Sequence, residues 1–306
     1  MKHRPYTDAD LAALRRFTAL AIQRHGRGSL IHPGDISHRI YSGLRGEDPT
    51  ELVHLWEDKD AQICGWVLLD PRDSSLVPQV DSGARSINPS LEREIFEWAE
   101  GALVAAMQER GLDIELIFAD VYEGDEVRAE MLPALGWYVD DGGAMLTRRP
   151  VANLLETELP PGYRIRTALG VQEAGAISEL HAAGFGSPWP PGLYAYVMSS
   201  PGYDPEHEIL MEVPGGRLAG SCIVWADEIN GTGYFESLAV HPAHRGLGLG
   251  KALLRAGLLE MLGWGMEHAE AIYEFENPVS GLLYLDEGFV PVERINWYSK
   301  QVTAAQ

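Results

Sequence analysis

Between Arg245 and Lys251 the chain reads Arg245-Gly246-Leu247-Gly248-Leu249-Gly250-Lys251, three alternate glycines held between two cations. An apolar run, Tyr234-Phe235-Glu236-Ser237-Leu238-Ala239-Val240, leads into it through His241-Pro242-Ala243-His244, and Ala252-Leu253-Leu254 follow. This is the pattern of a strand, a proline turn and a glycine loop that opens a helix. Glycines let the backbone take unusual dihedrals and approach a ligand closely. A helix start leaves several N–H groups unbonded and carries a partial positive charge. Together they form a cradle suited to an anion such as a pyrophosphate. Local charge agrees. From His241 to Leu259 there is no Asp or Glu, while Arg245, Lys251 and Arg255 stand there with His241 and His244, in a 306-residue chain that carries 45 Asp+Glu. A positive island in so acidic a chain is the footprint of a bound polyanion.

Other glycine loops fit less well. A P-loop requires Gly-x4-Gly-Lys-Ser/Thr, and here Ala252 follows Lys251, so the magnesium-binding hydroxyl is missing. A dinucleotide fingerprint requires Gly-x-Gly-x-x-Gly, whereas the spacing is Gly246-x-Gly248-x-Gly250. His241 and His244 have no third ligand in view, so no metal site is expected. Neither Gly-x-Ser-x-Gly nor His-Glu-x-x-His occurs.

These residues resemble the GNAT superfamily of acyl-CoA-dependent N-acetyltransferases. Its Arg/Gln-x-x-Gly-x-Gly/Ala signature falls on Arg245, Gly248 and Gly250, and Leu238-Ala239-Val240-His241-Pro242 is similar to its central strand and turn. A later segment, Glu276-Asn277-Pro278-Val279-Ser280-Gly281-Leu282-Leu283-Tyr284-Leu285-Asp286-Glu287-Gly288-Phe289, is similar to the family's Asn…Leu-Tyr-x-x-x-Gly-Phe ending. The two motifs have the family's order and separation over residues 163–300. Across the whole chain the arrangement resembles tandem, double-GNAT proteins of the mycothiol synthase kind.

The resemblance implies acetyl-CoA as co-substrate. It would lie in a wedge where the central strand splays from its neighbour, along Leu238, Ala239 and Val240, with backbone groups of Leu238 and Val240 bonding it. Its pyrophosphate would sit on the amides of Arg245, Gly246, Leu247, Gly248, Leu249, Gly250 and Lys251. A primary amine would attack the thioester directly, and the oxyanion would face a backbone N–H near Leu238 to Val240. Amines are mostly protonated at neutral pH, so a base must take the proton. Glu236 is the leading base, since strand alternation puts it on the side of Leu238 and Val240. Tyr284 is the leading acid for the departing thiolate. Asn277 would bond the pantetheine or cap the helix that Pro278 opens. The aromatic segment Phe185-Gly186-Ser187-Pro188-Trp189-Pro190-Pro191, with Tyr194, Tyr196 and Tyr203, falls where the family builds its acceptor pocket. A cation cage and plain packing of a long loop both fit it.

The elements that position these residues follow from an internal repeat. Ile63-Cys64-Gly65-Trp66-Val67-Leu68-Leu69-Asp70 has a counterpart in Ala219-Gly220-Ser221-Cys222-Ile223-Val224-Trp225-Ala226-Asp227, with Gly65 and Gly220 155 residues apart. Leu132-Pro133-Ala134-Leu135-Gly136-Trp137-Tyr138 pairs likewise with Tyr284-Leu285-Asp286-Glu287-Gly288-Phe289-Val290, with Gly136 and Gly288 152 apart. A duplicated unit of about half the chain follows, joined between Arg148 and Gly162. Each half reads coarsely as helices, then strands, then a helix, then strand–helix–strand. The fold class is α/β (α+β), two tandem GNAT-like domains over residues 1–150 and 151–306. Each is expected to hold a mixed, mostly antiparallel sheet with a splayed centre and flanking helices. The first half lacks the cradle: no glycine follows Arg85 before the helix, Pro89 removes a donor, and Glu92, Glu94, Glu97 and Glu100 outnumber Arg85 and Arg93. It is expected to be degenerate and structural.

Composition narrows the partners. The 45 acidic residues against 24 Lys+Arg give −21, which repels nucleic acid and anionic membrane, keeps the chain soluble and draws in cations such as amines. No apolar stretch is long enough for a membrane span, and the first residues lead into no secretory h-region. Cys64 and Cys222, far apart in apolar runs, read as reduced thiols, and the expected compartment is the cytoplasm. Three readings remain in view: an N-acetyltransferase acting on a small-molecule amine, a non-catalytic acyl-CoA-binding sensor, and a cradle for a different phosphorylated ligand.

Overall fold

A computed structural model describes residues 1–155 and 157–302. In chain order the elements begin with β1 (Lys2–Pro5), α1 (Leu11–His25), α2 (Pro49–Leu52), β2 (Val53–Glu57), β3 (Ile63–Asp70), β4 (Ser75–Val80), α3 (Ser82–Ile87), α4 (Leu91–Glu109), β5 (Leu116–Tyr122), α5 (Glu126–Ala134) and β6 (Tyr138–Pro150). They continue with β7 (Arg164–Thr167), α6 (Ala174–Phe185), α7 (Pro191–Ser199), β8 (Glu208–Glu212), β9 (Leu218–Asp227), β10 (Thr232–Val240), α8 (Leu249–Gly263), β11 (His268–Glu274), α9 (Pro278–Asp286) and β12 (Val290–Gln301). From β7 onward the order of strands and long helices repeats that of the first half.

The chain forms two compact units. Among the described residues, one comprises 1–145, 274–276 and 293–302, the other 146–155, 157–273 and 277–292. The strand order is β1-β2-β3-β4-β5-β12-β6 in the first and β6-β11-β10-β9-β8-β7 in the second. Each sheet therefore draws a strand from the other half of the sequence. β12 pairs antiparallel with β5, Tyr298 opposite Ala119. The end of β6 lies in the second unit, where the Thr147 hydroxyl donates to the Ala271 carbonyl at 2.8 Å.

The mixed, mostly antiparallel sheets with a splayed centre are present in both units. β2, β3 and β4 run antiparallel, as do β7 to β10. β4 and β5 are parallel and meet only at Ser75 and Phe118. β10 and β11 are parallel from Thr232–His268 to Phe235–Ala271, and their pairing stops there.

Helix periodicity sets the packing. On α4, Leu91, Ile95, Phe96, Ala99, Leu103 and Met107 are buried at three- and four-residue steps, while Glu92 and Glu94 favour its first turn. They share one core with Val67 and Leu69 of β3, on the face where Ile95 lies against Gly65. On α8, Leu249, Ala252, Leu253, Leu258 and Met261 pack on Met211, Cys222, Val224 and Phe235 in the other. Gly257 on α8 lets Phe235 reach the helix backbone, because an added Cβ there would stand 2.4 Å from its ring. Among the described residues no helix is long and apolar enough to cross a membrane, and no group of three or more His, Cys, Asp or Glu could hold a metal.

Because Tyr298 is 4% exposed within the first unit's core, Tyr298→Ala is expected to cost about 3 kcal/mol, as large-to-small core changes do. Denaturant melts measure the loss, and hydrogen exchange should place it on β5, to which β12 is paired.

Candidate active site

The site begins with an irregularity in β10. Phe235 lies opposite Val224 and Leu238 opposite Cys222, so Glu236 and Ser237 share the position facing Ile223. Two residues against one is a β-bulge, which bends and twists the strand. It falls at the point where β10 parts from β11. From Glu236 to Val240 the strand keeps its β9 partner on one edge, and its other edge turns toward the opening wedge. The bulge also revises an expectation: Phe235 and Leu238, three residues apart, both pack on the α8 core, so strict alternation cannot align half-buried Glu236 with Leu238 and Val240.

Beyond Val240 the chain stays tied to the sheet by the His241 amide, which donates to the Ala219 carbonyl at 2.9 Å. A turn of helix over Pro242–His244 follows. Gly246 and Gly248 then take φ of +79° and +77°. No protein atom lies within 4 Å of a Cβ built at either one, so the left-handed backbone, not crowding, calls for glycine. Gly248 is the N-cap of α8 and brings no capping side chain, leaving the amides of the first turn for another acceptor. Gly250 differs: its dihedral is ordinary and an added Cβ would meet Leu283 at 3.6 Å and Leu238 at 3.9 Å, normal contacts.

The cations behave differently from their place in the sequence. Arg245 Nε donates to the Val240 carbonyl at 3.2 Å and Nη2 to the Gly184 carbonyl at 3.1 Å, which staples the loop to the end of α6. Lys251 pairs with Asp286 at 3.2 Å on the surface. Arg255 holds buried Glu287 through two bonds of 2.7 and 2.8 Å. The stretch free of acids along the sequence is thus met in space by two carboxylates at the end of α9. An anion held here would rest on the backbone amides.

The same helix brings in the remaining candidates. Asn277 N-caps α9, its Oδ1 accepting from the Ser280 amide at 3.3 Å, and Pro278 occupies the first turn. Tyr284 is 4% exposed among Phe289 and Phe235. Burial, with the charges of Cys222 and Glu236 adding to it, pushes its phenol well above the usual tyrosine range. The hydroxyl therefore stays protonated at neutral pH.

This wedge and uncapped glycine helix start lie within a region, residues 175–289, that matches the Acetyltransferase (GNAT) family. The chain is 30% identical over 296 residues to the mycothiol acetyltransferase of Streptomyces coelicolor, covering 94% of this chain and 89% of that protein. It is 27% identical over 247 residues to the mycothiol acetyltransferase of Kineococcus radiotolerans, covering 78% of each. The chain belongs to the GNAT acetyltransferase family. Solved structures agree on the fold. A tandem GNAT protein from the clavulanic acid biosynthesis pathway superposes with a TM-score of 0.67 at 16% identity, covering 100% of this chain and 99% of that one. A GCN5-related N-acetyltransferase from Sphaerobacter thermophilus gives 0.64 at 19% identity, covering 100% and 96%.

Acetyl-CoA is the co-substrate of GNAT enzymes, and the residues present fit it. Two left-handed glycines and a helix start without a capping side chain form the backbone cradle a diphosphate requires.

Sequence reading missed one group on the opposite face of this GNAT sheet. Glu208 of β8 is 1% exposed and accepts from the Tyr194 hydroxyl of α7 and, at 2.9 Å, from that of Tyr203. Tyr194 also packs its ring on His181 and Trp189 at 5.1 and 5.6 Å. The aromatic segment is thus packing around a carboxylate, at least for Trp189, Tyr194 and Tyr203. Its signal was an acid opening an apolar strand, with tyrosines a short way before it.

Two outcomes follow. Gly248→Ala is expected to lower the melting temperature, costing about 1 kcal/mol for a non-glycine residue at left-handed dihedrals, while Gly250→Ala leaves it unchanged. Burial raises the Glu208 carboxyl to about 7 against the hydrogen bonds of the two tyrosines. The folded protein then keeps a proton that the unfolded chain releases near its ordinary value. Stability should therefore fall as pH rises from about 4.5 to 7, by on the order of 3 kcal/mol. Glu208→Gln should flatten that part of the profile in denaturant titrations at pH 4.5, 6 and 7.5.

Proposed function

We propose that the protein transfers an acetyl group from acetyl-CoA to the primary amine of a small molecule, by direct attack of the amine on the thioester. The observation that carries this is the parting of β10 from β11 after Phe235 and Ala271, immediately before a glycine helix start without a cap. A slot between strands that leads to an anion cradle suits a ligand with a narrow arm and a diphosphate. Acetyl-CoA supplies the electrophilic carbonyl and the thiolate leaving group.

The chain's own residues do the rest. Amides from Arg245 to Lys251 hold the diphosphate, and Arg245 acts by locking the loop through Val240 and Gly184. Backbone groups of Leu238, Ala239 and Val240 line the arm, and one of their N–H groups faces the developing oxyanion. Asn277 fixes the start of α9 and offers its amide to the pantetheine. Glu236, at the bulge, takes a proton from the incoming ammonium. Tyr284 gives its proton to the sulfur as the C–S bond breaks and the N–C bond forms, and is reprotonated from the nitrogen. The sum is one amide, one thiol and one released proton.

An acidic surface favours a cationic acceptor, and two relatives named for mycothiol support a small-molecule acceptor. Two free cysteines suit a reducing compartment, the cytoplasm.

Thiol release from acetyl-CoA, followed over a panel of primary amines, tests the reading. Glu236→Gln and Tyr284→Phe are each expected to lower kcat at least 100-fold, the scale of general acid–base catalysis, with coenzyme A affinity unchanged. Release no faster than spontaneous hydrolysis with every amine would refute the transferase reading.

A further inference from the structure

We propose that the cleft of the first unit is an anion site already filled by the chain's own carboxylates, so that a chain of two repeated units takes up one coenzyme A. The inference rests on the reading of the second unit's glycine cradle as the coenzyme A site.

The first unit keeps the architecture. β4 leaves β5 after a single paired position, and a cavity of about 850 Å³ opens at the strand ends, beside the start of α4 and the N-cap of α5. In the repeat this is the place of the second unit's cradle. Ser82, Ser86 and Ser90 line it with Arg85, Glu92 and Asp125.

What fills its floor is a closed set of charges. Arg85 donates from Nη1 and Nη2 to the two oxygens of Asp125, each at 2.9 Å, and its Nε faces Glu92 Oε2 at 2.6 Å. Arg128 donates to the other oxygen of Glu92 at 2.8 Å, with Asp125 at 3.7 Å. Side-chain exposures are 2% for Arg128, 3% for Glu92 and for Asp125, and 15% for Arg85. The Arg85–Asp125 pair takes the bidentate geometry that a phosphate would otherwise take, and Arg128 adds a single bond to Glu92. Burial pushes the Asp125 carboxyl up, but Arg128 and Arg85 outweigh it and hold it at about 2, so no physiological pH releases the arginines. A diphosphate entering here would leave two buried anions unpaired, a penalty that surface phosphate contacts do not recover.

The second unit lacks each part of this device. Uncharged Asn277 caps α9 where Asp125 caps α5. Arg245 rests on carbonyl oxygens and not on carboxylates. The first turn of α8 holds no acid, whereas that of α4 holds Glu92 and Glu94.

Two titrations of the full chain test this. With coenzyme A the expected stoichiometry is one per chain, lost in Gly248→Glu, which blocks the second unit's cradle. Two per chain, or one that survives the substitution, overturns the proposal. With inorganic pyrophosphate, Glu92→Gln/Asp125→Asn is expected to gain a site at least tenfold tighter than any the first unit of the wild type offers. A folded double variant that gains none overturns it equally. If the wild type binds no coenzyme A at all, the transferase reading falls and the pyrophosphate titration alone decides here. If the double variant does not fold, Asp125→Asn carries that titration.

Discussion

Everything in the second unit depends on two parallel strands ceasing to pair. A strand edge in a folded protein normally has its N–H and C=O groups bonded, because unpaired buried backbone is costly. β10 gives up its β11 partner after Phe235, and the bulge at Glu236 and Ser237 supplies the bend that makes the separation sterically feasible. The open edge is kept from closing by what lies beyond it. The His241 amide ties the strand end to β9, Arg245 ties the loop to α6, and α9 packs against the start of α8 through Leu283 and the Lys251–Asp286 pair. The wedge is thus a loss of pairing held from three sides, and in the proposed function its backbone is what would meet the ligand.

That arrangement would let a chain of charge −21 hold a polyanion. Side-chain cations near the loop are already engaged, Lys251 and Arg255 by carboxylates and Arg245 by carbonyls. Backbone amides carry no formal charge, cannot titrate, and need no partner anion to make their burial tolerable. A helix dipole adds to them within the first turn. Electrostatic preorganisation by amides also survives in a strongly acidic background, where a lone lysine would draw neighbouring acids as readily as a phosphate.

Much of this was legible along the chain. The glycine loop, α8, α9 and β9 to β11 follow from local patterns: apolar runs of strand length, a proline turn, and Asn277-Pro278 at a helix start. The repeat showed that the whole had two copies. Long-range events were not legible. β6 runs through Asp140-Asp141-Gly142-Gly143, where Gly143 lets the Ile295 carbonyl approach within 2.6 Å of where a Cβ would stand. β12 carries Glu293 and Arg294 and pairs with a strand more than 170 residues earlier in sequence. The bulge leaves no mark in residue type, since Glu236 and Ser237 would suit a regular strand equally. The positive island was misjudged for the same reason: a count along the chain cannot see Asp286 and Glu287 arriving from α9. Within the site, groups placed by backbone conformation were easier to read than groups placed by side-chain partners.

The two copies show how little separates an open anion site from a filled one. Both retain a splayed strand pair, a helix starting at the strand end and a polar residue capping the next helix. A capping oxygen is needed in either case, and Asn or Asp satisfies the helix equally well. The choice matters only to its neighbours. A neutral amide leaves a nearby arginine seeking carbonyl oxygens, whereas a carboxylate draws it in and, with a second acid in the adjoining first turn, completes a buried neutral quartet. Once formed, that quartet is difficult to undo one residue at a time, because removing any single member strands a largely buried opposite charge. On the proposed reading such a change is self-locking, because the charges that would close the cleft to a diphosphate also join α3, α4 and α5.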